Sequence, residues 1–188
     1  MQKTRMTTIE QITAILTNLS TASLEEILAL AEALKKKETR ASAWTFDFLK
    51  NFSDAMYSGM EIKVADATCA GVTRAALWEH PPMTGLASVG YLVPIRTGLV
   101  EIKLKFAIGI RDGAELPADR YVAFRVLVNG WKLWSTVKNS HHWEEHEIKM
   151  PQMSNDLARI EFITDALGDN RWNWAVWGEP CLEGDTFS

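Results

Sequence analysis

The sequence predicts a mainly β protein, an antiparallel jelly-roll β-sandwich over residues 43–188, preceded by an α-helical hairpin over residues 1–42. Three observations lead to that class. Apolar residues recur at three- and four-residue spacing between residues 7 and 38, as on one face of a helix. From about Ile62 the rhythm changes to the apolar–polar alternation of strands. Turn pairs such as Asp112-Gly113 and Asn129-Gly130 then separate the later segments, with no helical stretch between them.

Taken in order, Thr7-Thr8-Ile9-Glu10 fits a capping box, in which a hydroxyl and a carboxylate satisfy the free amides of a helix start. Ile9, Ile12, Leu16 and Leu19 form the stripe that follows. Asn18-Leu19-Ser20-Thr21-Ala22 interrupts it with side chains that bond their own backbone. Ser23-Leu24-Glu25-Glu26 reads as a second capping box, and Leu24, Ile27, Leu28, Ala31 and Leu34 as a second stripe. Helices this short are marginal in isolation, so their stripes need a partner. They cover each other or the following domain, or they serve as an anchoring and oligomerisation device. Lys35, Lys36 and Lys37 complement the negative end of the second helix dipole. Residues 36–45 are small and polar and read as a linker.

In the second region Leu99–Ile110 alternates apolar residues with Glu101, Lys103 and Lys105, as a half-exposed strand does. Asp112-Gly113 turns the chain, Tyr121–Val128 is the next strand, and Asn129-Gly130 closes it as a hairpin. Glu145–Met150 precedes Pro151, and Leu157–Thr164 and Trp174–Trp177 complete the set. Side chains alternate along a strand, so Ala175 and Trp177 share one face while Trp174 and Val176 share the other.

Composition narrows the function. The chain has 188 residues, 47% of them hydrophobic and 23% charged, with a net charge of -4, so no basic excess exists to neutralise nucleic-acid phosphates. No run approaches the roughly 18 apolar residues of a membrane span. MQKTRMTTIEQ lacks the apolar centre of a signal peptide. Cys69 and Cys181 show no metal-ligand spacing and read as free, semi-buried thiols, with a bridge between them as the alternative. There is no Gly-x-Ser-x-Gly, phosphate loop, Cys-His motif or carboxylate pair, and so no sign of an enzyme or a cofactor.

Four segments then carry a resemblance: TRAALWEHPP, FAIGIRDGAE, YVAFRVLVNGWKLW and TDALGDNRWNWAVWGEPCL. In this order they resemble the galactose-binding-like β-sandwich, of the type found in carbohydrate-binding modules appended to glycoside hydrolases. The likeness covers roughly residues 45–183 and rests on His80-Pro81, the Gly109–Gly113 turn, Val122–Gly130 and the late Trp174-Ala175-Val176-Trp177. It implies that Trp174 and Trp177 are mainly framework and that His80 has a structural place. The aspartate usual before the late Trp-Ala is Asn173 here, so a contact needing that charge is not carried over.

Sugar recognition needs a flat aromatic for the apolar pyranose face and polar groups for the hydroxyls. Trp131, His141, His142, Trp143, Asp169, Asn170, Arg171 and Trp172 have that chemistry and fall in loops or at strand ends. The competing reading makes the tryptophans plugs at the sandwich edge. His141, His142 and His146 with their neighbouring glutamates read as a solvated loop and strand edge, and Asp165, Asp169 and Asn170 as a turn, so no metal site is expected. The expected function is a non-enzymatic structural or attachment protein of a larger assembly, such as a virion surface, decoration or fibre protein. Ile9, Ile12, Leu16, Leu19, Leu24, Ile27, Leu28 and Leu34 would anchor or oligomerise it, and the sandwich would be displayed as a lectin-like domain. A free carbohydrate-binding protein and an uncharacterised enzyme are the alternatives. The expected place is a virion or extracellular surface reached without a signal peptide, or else the cytoplasm.

Overall fold

The computed structural model describes residues 12–13, 15–39, 44–152 and 156–186, and its chain forms two compact units, Met1–Ala41 and Ser42–Ser188. In the first unit the helix whose bounds fall within the described residues is α1 (Thr21–Thr39), and Ile12, Thr13, Ile15 and Leu16 ahead of it are also helical. Its start is capped by Ser20, whose Oγ accepts from the Ser23 N–H at 3.2 Å, so the cap lies three residues before the expected one. The helix also runs through Thr39 into the stretch expected as linker. Leu24, Ile27, Leu28 and Leu30 are exposed along it. The Thr7–Glu10 capping box and Ile9 lie outside the described residues, as does the side chain of Leu34. Among the described residues a helical hairpin is therefore not seen. None of their helices is long and apolar enough to cross a membrane.

Among its described residues the second unit's regular structure is strand, apart from one short 3-10 turn, Phe52–Asp54. Its strands are β1 (Trp44–Asp47), β2 (Met56–Ser58), β3 (Glu61–Cys69), β4 (Val72–His80), β5 (Leu86–Pro94), β6 (Leu99–Ile110), β7 (Val122–Val128), β8 (Trp131–Lys138), β9 (Glu144–Lys149), β10 (Leu157–Asp165) and β11 (Ala175–Thr186). One antiparallel sheet runs β3-β4-β11-β6-β9 with β1 also on β11, and the other runs β2-β5-β10-β7-β8. The late tryptophan segment is thus the start of a strand that continues to Thr186, well past the expected stop at Trp177.

β11 is central because it pairs with β6 along its length and shares its other edge between two strands. Val176–Gly178 lie opposite β4, and Cys181–Gly184 lie opposite β1. The register shifts between them, where Glu179 takes φ 46 and the Pro180 carbonyl accepts from Phe48 N–H at 3.2 Å. Proline has no N–H to give to a ladder, so a bulge is where a strand tolerates it.

Between the sheets lies a core of alternate residues from both. Phe48, Tyr91, Phe106, Phe124, Phe162 and Trp177 are buried there and meet mainly edge to face, the arrangement ring quadrupoles favour. Trp177 is fully buried, and its indole N–H donates to the Glu79 carboxyl, itself enclosed. A smaller cluster sits on the outer face of the first sheet, where Ala67, Cys69, Ala76 and Val176 pack under Trp78 and Trp143. The two faces of β11 thus divide as strand alternation requires, Ala175 and Trp177 inward and Val176 outward. Cys69 is buried and Cys181 half-buried, both as free thiols.

Candidate functional site

Register decides which loops meet. In the first sheet Ala175 lies opposite Ile110, Val176 opposite Trp78 and Glu144 opposite Ile108. In the second, Asp165 lies opposite Leu86 and Ala123, and Val122 opposite Lys138. Loops 81–85, 111–121, 139–143 and 166–174 therefore share one end of the sandwich. That end gathers His141, His142, Trp143, Asp169, Asn170, Arg171 and Trp172. Trp131 does not join them. It follows the Asn129-Gly130 turn beside Val128, which pairs with Ile160 at the start of β10, so it stands at the opposite end with 81% of its surface exposed.

Loop 166–174 is built by side chains that bond the local backbone. The Asp165 carboxylate accepts from Leu167 N–H at 2.9 Å, and that of Asp169 from Arg171 N–H at 3.0 Å. Leu167, Gly168 and Trp172 all have positive φ, the last at 68. An aromatic residue in that region costs about 1–2 kcal/mol, so the surrounding contacts must hold it. Asn173 is one of them. Its amide donates to the Asp169 carbonyl at 2.6 Å and lies 3.4 Å from that of Ala166. An aspartate could donate neither bond, which gives the departure at this position a physical purpose.

Asn170 is only 8% exposed, with its amide directed at Met60 Sδ and the Pro81 carbonyl. Its amide thus ties the loop to Met60 and Pro81. The Asp169 carboxylate is gripped by Arg171, 2.7 Å away through Nη2, and by Arg120 at 3.0 Å. Arg171 beside it holds that carboxyl well below the usual carboxylate range. Asp165 is paired with Arg125 at 2.9 Å. Among the described residues no three His, Cys, Asp or Glu side chains are grouped to hold a metal ion.

What this end presents is indole and guanidinium. Trp172 and Trp174 are half-buried, their rings 5.6 Å apart. Arg111 lies over the Trp78 ring at 3.4 Å and 5.2 Å from that of Trp174, while Lys63 Nζ sits 4.0 Å from the Trp78 centroid. Neither Arg111 nor Trp78 was singled out from sequence. Arg111 stands in a turn read only for its Asp-Gly, and nothing local announces the tryptophan of a distant strand beneath it. His80 is half-buried here, and burial lowers its pKa.

The 139–143 loop does different work. Trp143 lies over two strands where only glycine leaves room: a Cβ on Gly109 would come within 3.0 Å of its ring, and one on Gly178 within 2.9 Å. Its indole N–H donates to the Val72 carbonyl at 2.9 Å, and the Arg74 guanidinium is 5.4 Å from its ring. Asp112 completes the tether by accepting from the Ala70 and Gly71 N–H groups at the β3–β4 tip. Trp143 thus pins that hairpin to the sheet. His141 Nδ1 is 3.0 Å from the Ile110 carbonyl, which can only accept, so Nδ1 carries the proton there. His142 is exposed.

No protein-family model and no curated protein matches the sequence. Solved structures do match the shape. The CBM51 of Clostridium perfringens GH95, in complex with methyl-galactose, aligns with a TM-score of 0.51 at 10% identity over 74% of this chain and 99% of its own. CBM51-2 of Clostridium perfringens ZmpB, in complex with GlcNAc, gives 0.52 at 14% identity over 76% of this chain and 32% of that larger one. The tandem CBM51 modules of Sp3GH98, the family 98 glycoside hydrolase from Streptococcus pneumoniae SP3-BS71, give 0.50 at 14% identity over 73% and 49%. At such identities the likeness is one of architecture: the second unit has the galactose-binding-like β-sandwich fold of carbohydrate-binding modules.

Proposed function

We propose that the sandwich is a non-catalytic, lectin-like domain that recognises a glycan at the loop end carrying Arg171, Trp172 and Trp174. The observation behind this reading is the pair of half-buried indoles in the 166–174 loop, with the Arg111 guanidinium 5.2 Å from the Trp174 ring. Indole offers a flat apolar face to a pyranose, and the cations offer donors to its oxygens. The fold supports it as well, since solved structures of the same architecture hold methyl-galactose and GlcNAc. A glycan array followed by calorimetric titration tests the proposal. Trp172→Ala is expected to weaken binding about tenfold or more, as loss of an aromatic anchor does, while Trp131→Ala leaves it unchanged. The exposure of Trp131 favours one rival, a site on the β7–β8 hairpin. The reverse pattern of losses would move the site there, and no binding to any glycan would remove the proposal.

We propose also that residues 1–42 attach this domain to a larger assembly, with a virion surface as the setting. Leu24, Ile27, Leu28 and Leu30 support the attachment, being exposed apolar side chains on a helix of the separate first unit. Sedimentation of the full chain against one starting at Ala43 checks it. Equal behaviour as monomers at all concentrations would exclude self-assembly through this segment.

A further inference from the structure

Arg111 differs from the other arginines that line the loop end. Arg120 and Arg171 are both tied to Asp169. The Arg111 side chain makes no hydrogen bond or ion pair with any described residue, although its backbone N–H donates to the Trp174 carbonyl at 3.0 Å. What fixes the side chain is stacking on Trp78 at 3.4 Å, with Trp174 at 5.2 Å. Both distances lie within the range of cation–π attraction. Stacking occupies the face of a guanidinium and leaves its edge, a planar fork of N–H donors, unused. The carboxylate whose charge acts on it is that of Glu61, already bound to Lys63 at 2.6 Å. Burial keeps His80 toward its neutral form, and Lys63 shares the Trp78 ring at 4.0 Å.

We propose that Arg111 is an anion-recognition residue, and that the glycan this end takes carries a carboxylate, as a hexuronic or sialic acid does. The guanidinium edge matches a carboxylate with two parallel N–H···O bonds, while the pyranose face lies on the neighbouring indoles. Because Trp78 and Trp174 hold the group before any ligand arrives, little side-chain freedom is lost on binding. This inference rests on the glycan reading above and names its substrate class.

The experiment is calorimetric titration of the full chain with methyl glucuronide, methyl galacturonide and a methyl sialoside, beside the uncharged methyl glucoside and galactoside. At least one acidic glycoside is expected to bind about tenfold or more tightly than the neutral ones, and the three acids separate the two sources of carboxylate. Arg111→Gln is expected to bring acidic and neutral sugars to the same affinity, and Arg111→Lys to retain a part of the preference. Neutral sugars bound as tightly as acidic ones by the unaltered chain would overturn the carboxylate assignment and leave the glycan reading standing. A preference for acids that survives Arg111→Gln would take the role from Arg111. Failure of every glycan, acidic and neutral, on the array and here would remove both readings.

Discussion

Glu79 is a carboxyl enclosed in the sandwich core. Its Oε2 receives the indole N–H of Trp177, and its backbone carbonyl receives the Thr164 hydroxyl at 2.7 Å. Burial pushes its pKa well above the ordinary 4.5, so the folded protein keeps it protonated where the unfolded chain ionises it. The folded state then binds more protons than the unfolded one, and stability falls as pH rises from about 4.5 toward the raised folded value. Glu79→Gln keeps an oxygen for the indole and cannot ionise. It should flatten that decline and stabilise the fold by about 1 kcal/mol or more at pH 8. Urea denaturation at pH 5 and pH 8 checks this, and equal slopes in both proteins would refute it. Strand alternation puts Trp177 on one face with Ala175, and the resemblance, not the alternation, makes it framework. Its carboxyl partner could not be assigned either way, because a glutamate between a tryptophan and a histidine looks like a surface residue until the second sheet covers it.

At the scale of elements, the strand that repeats its own pattern is the one legible in full. Leu99–Ile110 alternates through Glu101, Lys103 and Lys105, and the observed β6 has those bounds. Asn129 and Gly130 both take positive φ, as a turn of that pair demands. β1 and β2 escaped because strands of four and three residues carry no period and exist only by pairing with β11 and β5, and β3, β4, β5 and β8 were not delimited from sequence either. Ser20 rather than Ser23 caps α1, because its hydroxyl accepts the Ser23 N–H three residues on, and two nearby serines offer the same group to a sequence reading. Trp143 was legible as an aromatic in a loop but not as a tether, since its acceptor on Val72 is 71 residues away. The notch it fills gives a test. Gly178→Ala places a methyl within 2.9 Å of that ring and should destabilise by about 1–3 kcal/mol. Red-shifted tryptophan emission and a lower urea midpoint are the expected signs, and an unchanged midpoint would mean that the ring adapts. Asp112→Asn should in turn speed amide exchange at Ala70 and Gly71, because the replacement loses the carboxylate that accepts from both.

At the scale of the molecule, the second unit holds its core and both sheets within residues 42–188. A chain starting at Ala43 is therefore expected to fold alone and to melt within a few degrees of the full chain by calorimetry. A large fall would show that the first unit contributes to the sandwich. The strand ends have one more consequence. Trp44 lies opposite Gly184, so the sandwich's first and last strands come together at the end away from Trp172. Twelve residues of β11, at about 3.4 Å each, put roughly 35–40 Å between Thr186 and those loops. A carrier or sensor chip grafted ahead of Trp44 or behind Thr186 would leave the indoles pointing into the liquid, and tandem copies could be strung together without one shading the next.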